Sequence, residues 1–159
     1  MSFKVGFGYD VHRLEKGYPL IIGGTLIPYE KGSVGHSDAD VLIHAIMDAL
    51  LGAGGLRDIG YHFPDTDNKY KGADSKELLK EVLVLISNKG YKVGNIDATV
   101  SLQTPKISGY IPKMQKILSE IIQISTDEVS IKATTTEKLG FIGEGKGIAA
   151  QAVVLIYSD

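Results

Sequence analysis

Phe3, Val5, Phe7 and Tyr9 alternate with Lys4, Gly6, Gly8 and Asp10, the two-residue period of a strand. Leu20-Ile21-Ile22, Gly23-Gly24 and Thr25-Leu26-Ile27 read as a tight hairpin. Residues 31–36 are polar and contain glycine, so a loop is expected there. A helix is predicted over 38–53. Ser37 is its expected N-cap, Asp40 adds negative charge at the positive end of the helix dipole, and Gly54-Gly55 stops it. Residues 57–73 hold Asp58, Gly60, Pro64, Asp65, Asp67 and Gly72 and keep no period. A loop that long in a compact domain is usually either functional or disordered. A second helix is predicted over 75–89, opened by Asp74 with Glu77 in a capping-box arrangement and ended by Gly90. Its apolar face is Leu78, Leu79, Val82 and Ile86. Ile96, Ala98, Val100 and Leu102 mark a strand. Pro112 opens a third helix, with Met114, Ile117, Leu118, Ile121 and Ile122 turned inward. Val129, Ile131 and Ala133 mark a further strand. Residues 148–157 are almost wholly apolar, as a central strand should be. The expectation is one α/β (α+β) domain over 1–159: a mixed sheet of about four strands, a small hairpin, and helices on one face.

Composition narrows the chemistry. The 159 residues suit one domain. With no cysteine, disulfides and thiolate ligands are excluded, so any metal must be held by His, Asp or Glu. The net charge of −2 and the absence of a basic run argue against nucleic acid as the main partner. No stretch approaches the ~20 apolar residues of a membrane helix. The N-terminal residues carry no signal or transit pattern. A cytoplasmic protein is expected, and a processed organellar one would look the same.

Several short constellations carry candidate chemistry. Asp10 and His12 lie two apart on a predicted strand and so face one point, either as ligands or as an idle solvated pair. Asp40, His44 and Asp48 form one stripe on the first helix, following His36-Ser37-Asp38. That stripe either faces water or presents a ligand histidine flanked by carboxylates. It contains no Lys or Arg, which solvent-facing stripes normally have. If Asp10, His12 and His44 converge, they supply one carboxylate and two imidazoles. This is the protein half of an open catalytic zinc site, and equally the facial triad of a non-haem iron oxygenase. A metal-stabilised structural trimer is a further alternative. Residues 132–138 set Thr134, Thr135 and Thr136 before Glu137. They could serve as phosphate-binding hydroxyls and a hard-cation ligand, or form a threonine-rich strand end. Asp58–Asp67 could bind polyol hydroxyls or cap turns. Gln103-Thr104-Pro105-Lys106 could present its backbone to a nucleobase or be only a turn. The Gly6-Phe7-Gly8 segment lacks the following helix and third glycine of a dinucleotide fingerprint.

Taken together, Gly8-Tyr9-Asp10-Val11-His12, Ile21–Gly24, Ile27–Tyr29, His36–Val41, Asp58–Gly60, Phe63–Asp67 and Lys132–Phe141 resemble the 2-C-methyl-D-erythritol 2,4-cyclodiphosphate synthase family. The likeness runs in order from about residue 4 to residue 156. It implies an α/β domain packed as a homotrimer, with active sites between neighbouring subunits. It also implies a cytidine diphosphate-linked substrate. On the matching motif positions it implies metal ligands Asp10, His12 and His44, holding zinc or manganese. Glu137 would help to hold magnesium or manganese with the substrate diphosphate. His36 and Thr135 match transition-state-stabilising positions. Ser37, Asp58, Ile59, Gly60, Phe63, Pro64, Asp65, Thr66 and Asp67 match the erythritol-phosphate side. Leu102, Gln103, Thr104, Pro105 and Lys106, with Ala133 and Thr134, match the cytidine pocket; Thr136 and Phe141 complete the substrate set. One departure stands out. Many family members carry an Arg in the glycine-rich turn near the threefold axis. Here the turn is Gly143-Glu144-Gly145-Lys146-Gly147, which puts an anion site on that axis in doubt and leads us to expect that Lys146 neutralises Glu144.

Overall fold

The first strand, β1 (Ser2–Lys16), turns its glycines toward the helices and its aromatics away from them. Gly6 and Gly8 are buried, whereas Phe3, Val5, Phe7, Tyr9 and Val11 are exposed on the opposite face. The computed structural model describes residues 1–159. After β1 come β2 (Leu20–Ile22), β3 (Thr25–Ile27), β4 (Lys31–Val34), α1 (Val41–Ala53), α2 (Ile59–His62), α3 (Ser75–Asn88) and β5 (Lys92–Ser101). The chain closes with α4 (Ile111–Ile122), β6 (Val129–Thr134), α5 (Gly140–Gly143) and β7 (Gly147–Ser158).

The main sheet has the order β4-β1-β7-β5-β6, and β2-β3 stands apart as a hairpin. Strand β7 is central, as its apolar run predicts, pairing antiparallel with both β1 and β5. Only β5 and β6 run parallel. Ile148, Ala150, Ala152, Val154 and Ile156 from β7, with Ile96, Ala98 and Val100 from β5, form the buried floor on which the helices pack. Helix α1 is buried almost all round, as expected of a helix enclosed by sheet and neighbouring helices. It lies so close to β1 that a Cβ on Gly8 would sit 1.9 Å from the Ala45 carbonyl oxygen, and one on Gly6 1.8 Å from that of Ala49. Only glycine permits that approach.

Six local expectations are corrected. Residues 31–34 form an edge strand paired with Arg13–Lys16 of β1, not a loop. Helix α1 begins at Val41, because Ala39 takes a left-handed φ of 55° that no helical turn accommodates. Its N-cap is therefore Asp40, which accepts from Ile43 N, and Ser37 is left free for another role. At α3 the cap is Asp74, accepting from Lys76 N, while Glu77 pairs with Lys80 and returns no capping-box bond. The loop at 57–73 contains the one-turn helix α2, and the glycine-rich turn after Leu139 contains α5.

Candidate active site

The approach of α1 to β1 through Gly6 and Gly8 brings His44 beside Asp10 and His12. Asp10 Oδ2 lies 2.8 Å from His12 Nε2 and 3.1 Å from His44 Nδ1, and the two nitrogens are 3.2 Å apart. A tetrahedral ion with ligand bonds of 2.0–2.1 Å places its donors about 3.3 Å from one another. The three atoms thus already span one face of such a tetrahedron. His12 Nδ1 donates to Val34 O at 3.1 Å, which leaves Nε2 as the lone pair toward the cluster. His44 Nε2 has Ser37 Oγ at 3.1 Å and Ser75 Oγ at 3.0 Å, both able to accept its proton. Three acceptors then converge, and a cation at their centre relieves the repulsion; the donor set fits a divalent metal. In its absence protons take that part. Burial raises the Asp10 carboxyl, but hydrogen bonds from His12 and His44 outweigh it and bring it down to about 2. Burial pulls His12 down, and the Asp10 hydrogen bond and charge more than reverse this, leaving it raised.

The other members of the helix stripe are also structural and inward, not solvent-facing. Asp40 is fully buried and accepts from Gly23 N at 2.9 Å, Gly24 N at 2.7 Å and Ile43 N at 3.0 Å, so one carboxylate both caps α1 and clasps the β2-β3 turn. Burial pushes its carboxyl up to about 6 against those three donors. Asp48 accepts from Ile59 N at 2.9 Å and anchors α2 over the cluster.

A cleft of about 340 Å³ opens on Asp10, His12 and His44. Its walls include His36, Ser37, Ile59, Gly60, Phe63 and Asp65 from the predicted set. His36 is fixed through Nε2, 3.1 Å from the Asp67 carbonyl oxygen. The Asp58 and Asp67 carboxylates cap turns instead of facing the cleft, accepting from Tyr61 N and Lys69 N at 2.9 Å each. Pro64 and Thr66 complete that loop without lining the cleft. Met47, Tyr70 and Leu78 line it and are absent from the sequence-based set. Leu78 lay on the predicted apolar face of the second helix and Met47 in the interior of the first, so neither carried a functional signal.

The remaining predicted residues gather elsewhere. Leu102 N donates to Thr134 O at 2.9 Å, Lys138 N to Gln103 Oε1 at 3.1 Å, and the Tyr29 and Thr104 hydroxyls are 2.8 Å apart. Ala133 pairs with Val100 of β5 beside this second cluster, and Pro105 and Lys106 follow Thr104 directly in the chain. Thr135 Oγ1 accepts from Glu137 N at 3.3 Å, and Thr136 donates to Leu139 O at 2.8 Å, across a turn in which Glu137 and Lys138 have φ of 54° and 62°. Phe141 packs against Gly147 and stays partly exposed. Between β1 and β6 lie β7 and β5, so at the usual strand spacing the two clusters are roughly 14 Å apart. A single chain does not bring Thr135, Glu137 or the 102–106 segment into its own cleft. In the glycine-rich turn, Lys146 Nζ folds back to Glu144 at 2.5 Å, as expected, and Lys31 Nζ donates to Gly145 O at 3.0 Å. No helix is long and apolar enough to cross a membrane.

Comparison with known proteins gives one consistent answer. The sequence pattern of the YgbB family matches residues 3–157. A 2-C-methyl-D-erythritol 2,4-cyclodiphosphate synthase from Porphyromonas gingivalis is 59% identical over 154 residues, covering 97% of this chain and 95% of that one. A solved structure of a 2C-methyl-D-erythritol-2,4-cyclodiphosphate synthase in a CDP-bound form is 37% identical. It has a TM-score of 0.90 and covers 97% of this chain and 100% of that chain. The bifunctional IspDF of Campylobacter jejuni is 40% identical with a TM-score of 0.95; the alignment covers 99% of this chain and 43% of that one. These matches remove the oxygenase reading of the Asp10, His12 and His44 set. The chain belongs to the YgbB family, that of the 2-C-methyl-D-erythritol 2,4-cyclodiphosphate synthases.

Proposed function

We propose that the protein converts 4-diphosphocytidyl-2-C-methyl-D-erythritol 2-phosphate to 2-C-methyl-D-erythritol 2,4-cyclodiphosphate and CMP, as a phosphorus-oxygen lyase of the methylerythritol phosphate route to isoprenoid precursors. The observation that carries this reading is the Asp10, His12 and His44 triad opening into a cleft walled by His36, Ser37 and the Ile59–Asp65 loop, in a chain of this family. An oxygen of the substrate's 2-phosphate attacks the diphosphate phosphorus nearer the erythritol. The bond from that phosphorus to the CMP oxygen breaks, and CMP leaves with the electron pair. The attacking phosphate is already anionic, so no general base is required. Bound divalent ions, zinc or manganese at Asp10, His12 and His44 and magnesium or manganese with Glu137, would neutralise phosphate charge and fix the reacting geometry.

The protein's own groups hold the two phosphates in line, an orientation effect worth about 7–11 kcal/mol. Gly60, Phe63 and Asp65 wall the erythritol-phosphate end, and Asp58 and Asp67, whose carboxylates cap turns, hold that loop in place. Leu102–Lys106 with Ala133 and Thr134 take the cytidine, a reading supported by the CDP held in a solved relative. His36 and Thr135 stabilise the developing charge, and Thr136 belongs to the substrate-binding set. Because the two clusters stand apart within one chain, the site is completed between copies in a homotrimer. The exposed apolar stripe of Phe3, Val5, Phe7, Tyr9, Val11 and Val153 on the helix-free face of the sheet supports that assembly. We propose a cytoplasmic location on the pattern of the bacterial relatives. His12→Ala and His44→Ala test the triad: each should abolish CMP release while leaving a folded protein. Near-normal turnover in either, after metal depletion, refutes the assignment.

A further inference from the structure

Ser75, the first residue of α3, is completely buried, and its hydroxyl lies 3.0 Å from His44 Nε2. On its other side that hydroxyl hydrogen-bonds Asp38 Oδ1, and the Ser75 backbone N–H donates to Asp38 Oδ2 at 3.0 Å. A carboxylate only accepts, so the single hydroxyl proton of Ser75 is committed to Asp38. What Ser75 then offers His44 is a lone pair, which requires a proton on Nε2. A neutral imidazole carries one N–H, so Nδ1 becomes a bare lone pair. Nδ1 is the atom that faces Asp10 at 3.1 Å and His12 at 3.2 Å. Ser37 imposes no such order. Its oxygen accepts from Ala39 N at 3.3 Å and its own proton is uncommitted, so it can meet His44 as donor or acceptor.

We infer that Asp38 and Ser75 are positioning residues, a carboxylate-hydroxyl-imidazole relay that sets the His44 tautomer required of a metal ligand. The inference rests on the reading of Asp10, His12 and His44 as ligands. It also explains why the chain between His36 and Val41 is not helical. The left-handed turn at Ala39 lets Asp38 reach the start of α3 while Asp40 turns the other way, to the β2-β3 hairpin. One short segment thereby ties the ligand helix α1 to both its neighbours.

Asp38→Asn preserves shape and reverses polarity. With the amide carbonyl kept on the Ser75 backbone N–H, the shorter of the two backbone bonds, N–H2 takes the Oδ1 place at the expense of the Asp40 N contact; the hydroxyl then donates to His44 Nε2 and drives the imidazole proton onto Nδ1. Two readouts on the metal-stripped full chain test this: zinc affinity by competition with a chromophoric chelator, and long-range proton-nitrogen NMR of the His44 ring at alkaline pH. Asp38→Asn should weaken zinc binding about 10–100-fold and move the ring proton from Nε2 to Nδ1. Ser75→Ala should weaken it several-fold, because Ser37 Oγ remains 3.1 Å from Nε2. Ser75→Ala keeps the backbone N–H to Asp38, and it decides by the same criteria should Asp38→Asn fail to fold. A purely structural role would lower the melting temperature yet leave zinc affinity and ring nitrogens unmoved. That result, or affinity within twofold of the unmodified chain, overturns the relay. Failure of the unmodified chain to bind zinc overturns the ligand reading itself.

Discussion

Gly8→Ala perturbs the site through the packing of β1 on α1, without replacing Asp10, His12 or His44. The added Cβ would lie 1.9 Å from Ala45 O and 2.8 Å from Ala49 N, where real Cβ atoms essentially never come within 3.0 Å. Both obstacles are backbone, so no rotamer change relieves them, and α1 must retreat by about 1 Å or more. Overpacking of this kind costs typically 1–3 kcal/mol, and rigid atoms on both sides put Gly8→Ala at about 3 kcal/mol. For a domain of this size that lowers the melting temperature by roughly 6–12 °C. His44 is the residue before Ala45, so the same retreat carries its Nδ1 away from Asp10 and His12. Metal sites tolerate about ±0.2 Å in ligand distance, and a 1 Å opening should therefore weaken zinc binding by roughly tenfold or more. Thermal unfolding and zinc titration of the same preparation measure both effects. An unshifted melting point together with unchanged zinc affinity would refute the claim that glycine packing sets the ligand spacing.

The site's pH dependence follows from its shifts. Protonated His12 stabilises the metal-free fold below its ordinary 6.5, and this is lost as pH rises through its raised folded value. Zinc needs that imidazole neutral, so the melting-point gain from zinc should be largest above that value and shrink as pH falls through it. Asp10, down at about 2, contributes stability present above 3.8 and lost only on acidification toward 2. Asp40, up at about 6, contributes in the opposite sense, its stability present below 3.8 and lost as pH rises through 6. Asp40→Asn should flatten that limb. It should also cost about 1–3 kcal/mol at neutral pH, because its amide N–H2 must face a backbone N–H; denaturant melts over this pH range check both. Phe7→Glu, placing charge in the exposed apolar stripe, should yield monomers without turnover that still bind zinc; an active monomer in sedimentation refutes the shared site.

The triad was legible because its two halves sit on regular elements whose periods fix side-chain direction. Asp10 and His12 share a strand face, and His44 lies on a helix that packs on that strand. The central position of β7 followed from its apolar run, and α4 from Pro112 and its amphipathic face. Periodicity could not say which face of β1 the helices cover. Alternation is symmetric, and the apolar set is the one exposed in a single chain, because the glycines are needed for close packing. Strand β4 looked like a loop because it is a polar edge with a single partner. Ser37 looked like an N-cap because nothing in sequence reveals the left-handed Ala39. The Ser75 contact to His44 spans 31 residues and has no local signal.

Incubation of the purified protein with 4-diphosphocytidyl-2-C-methyl-D-erythritol 2-phosphate and magnesium, followed by phosphorus NMR, tests the central claim most directly. The cyclic diphosphate and CMP should grow in equal amounts as the substrate phosphorus signals decay, and the reaction should stop on metal depletion. Linear hydrolysis products without the cyclic signal, or an unchanged substrate spectrum with zinc and magnesium supplied, would contradict it.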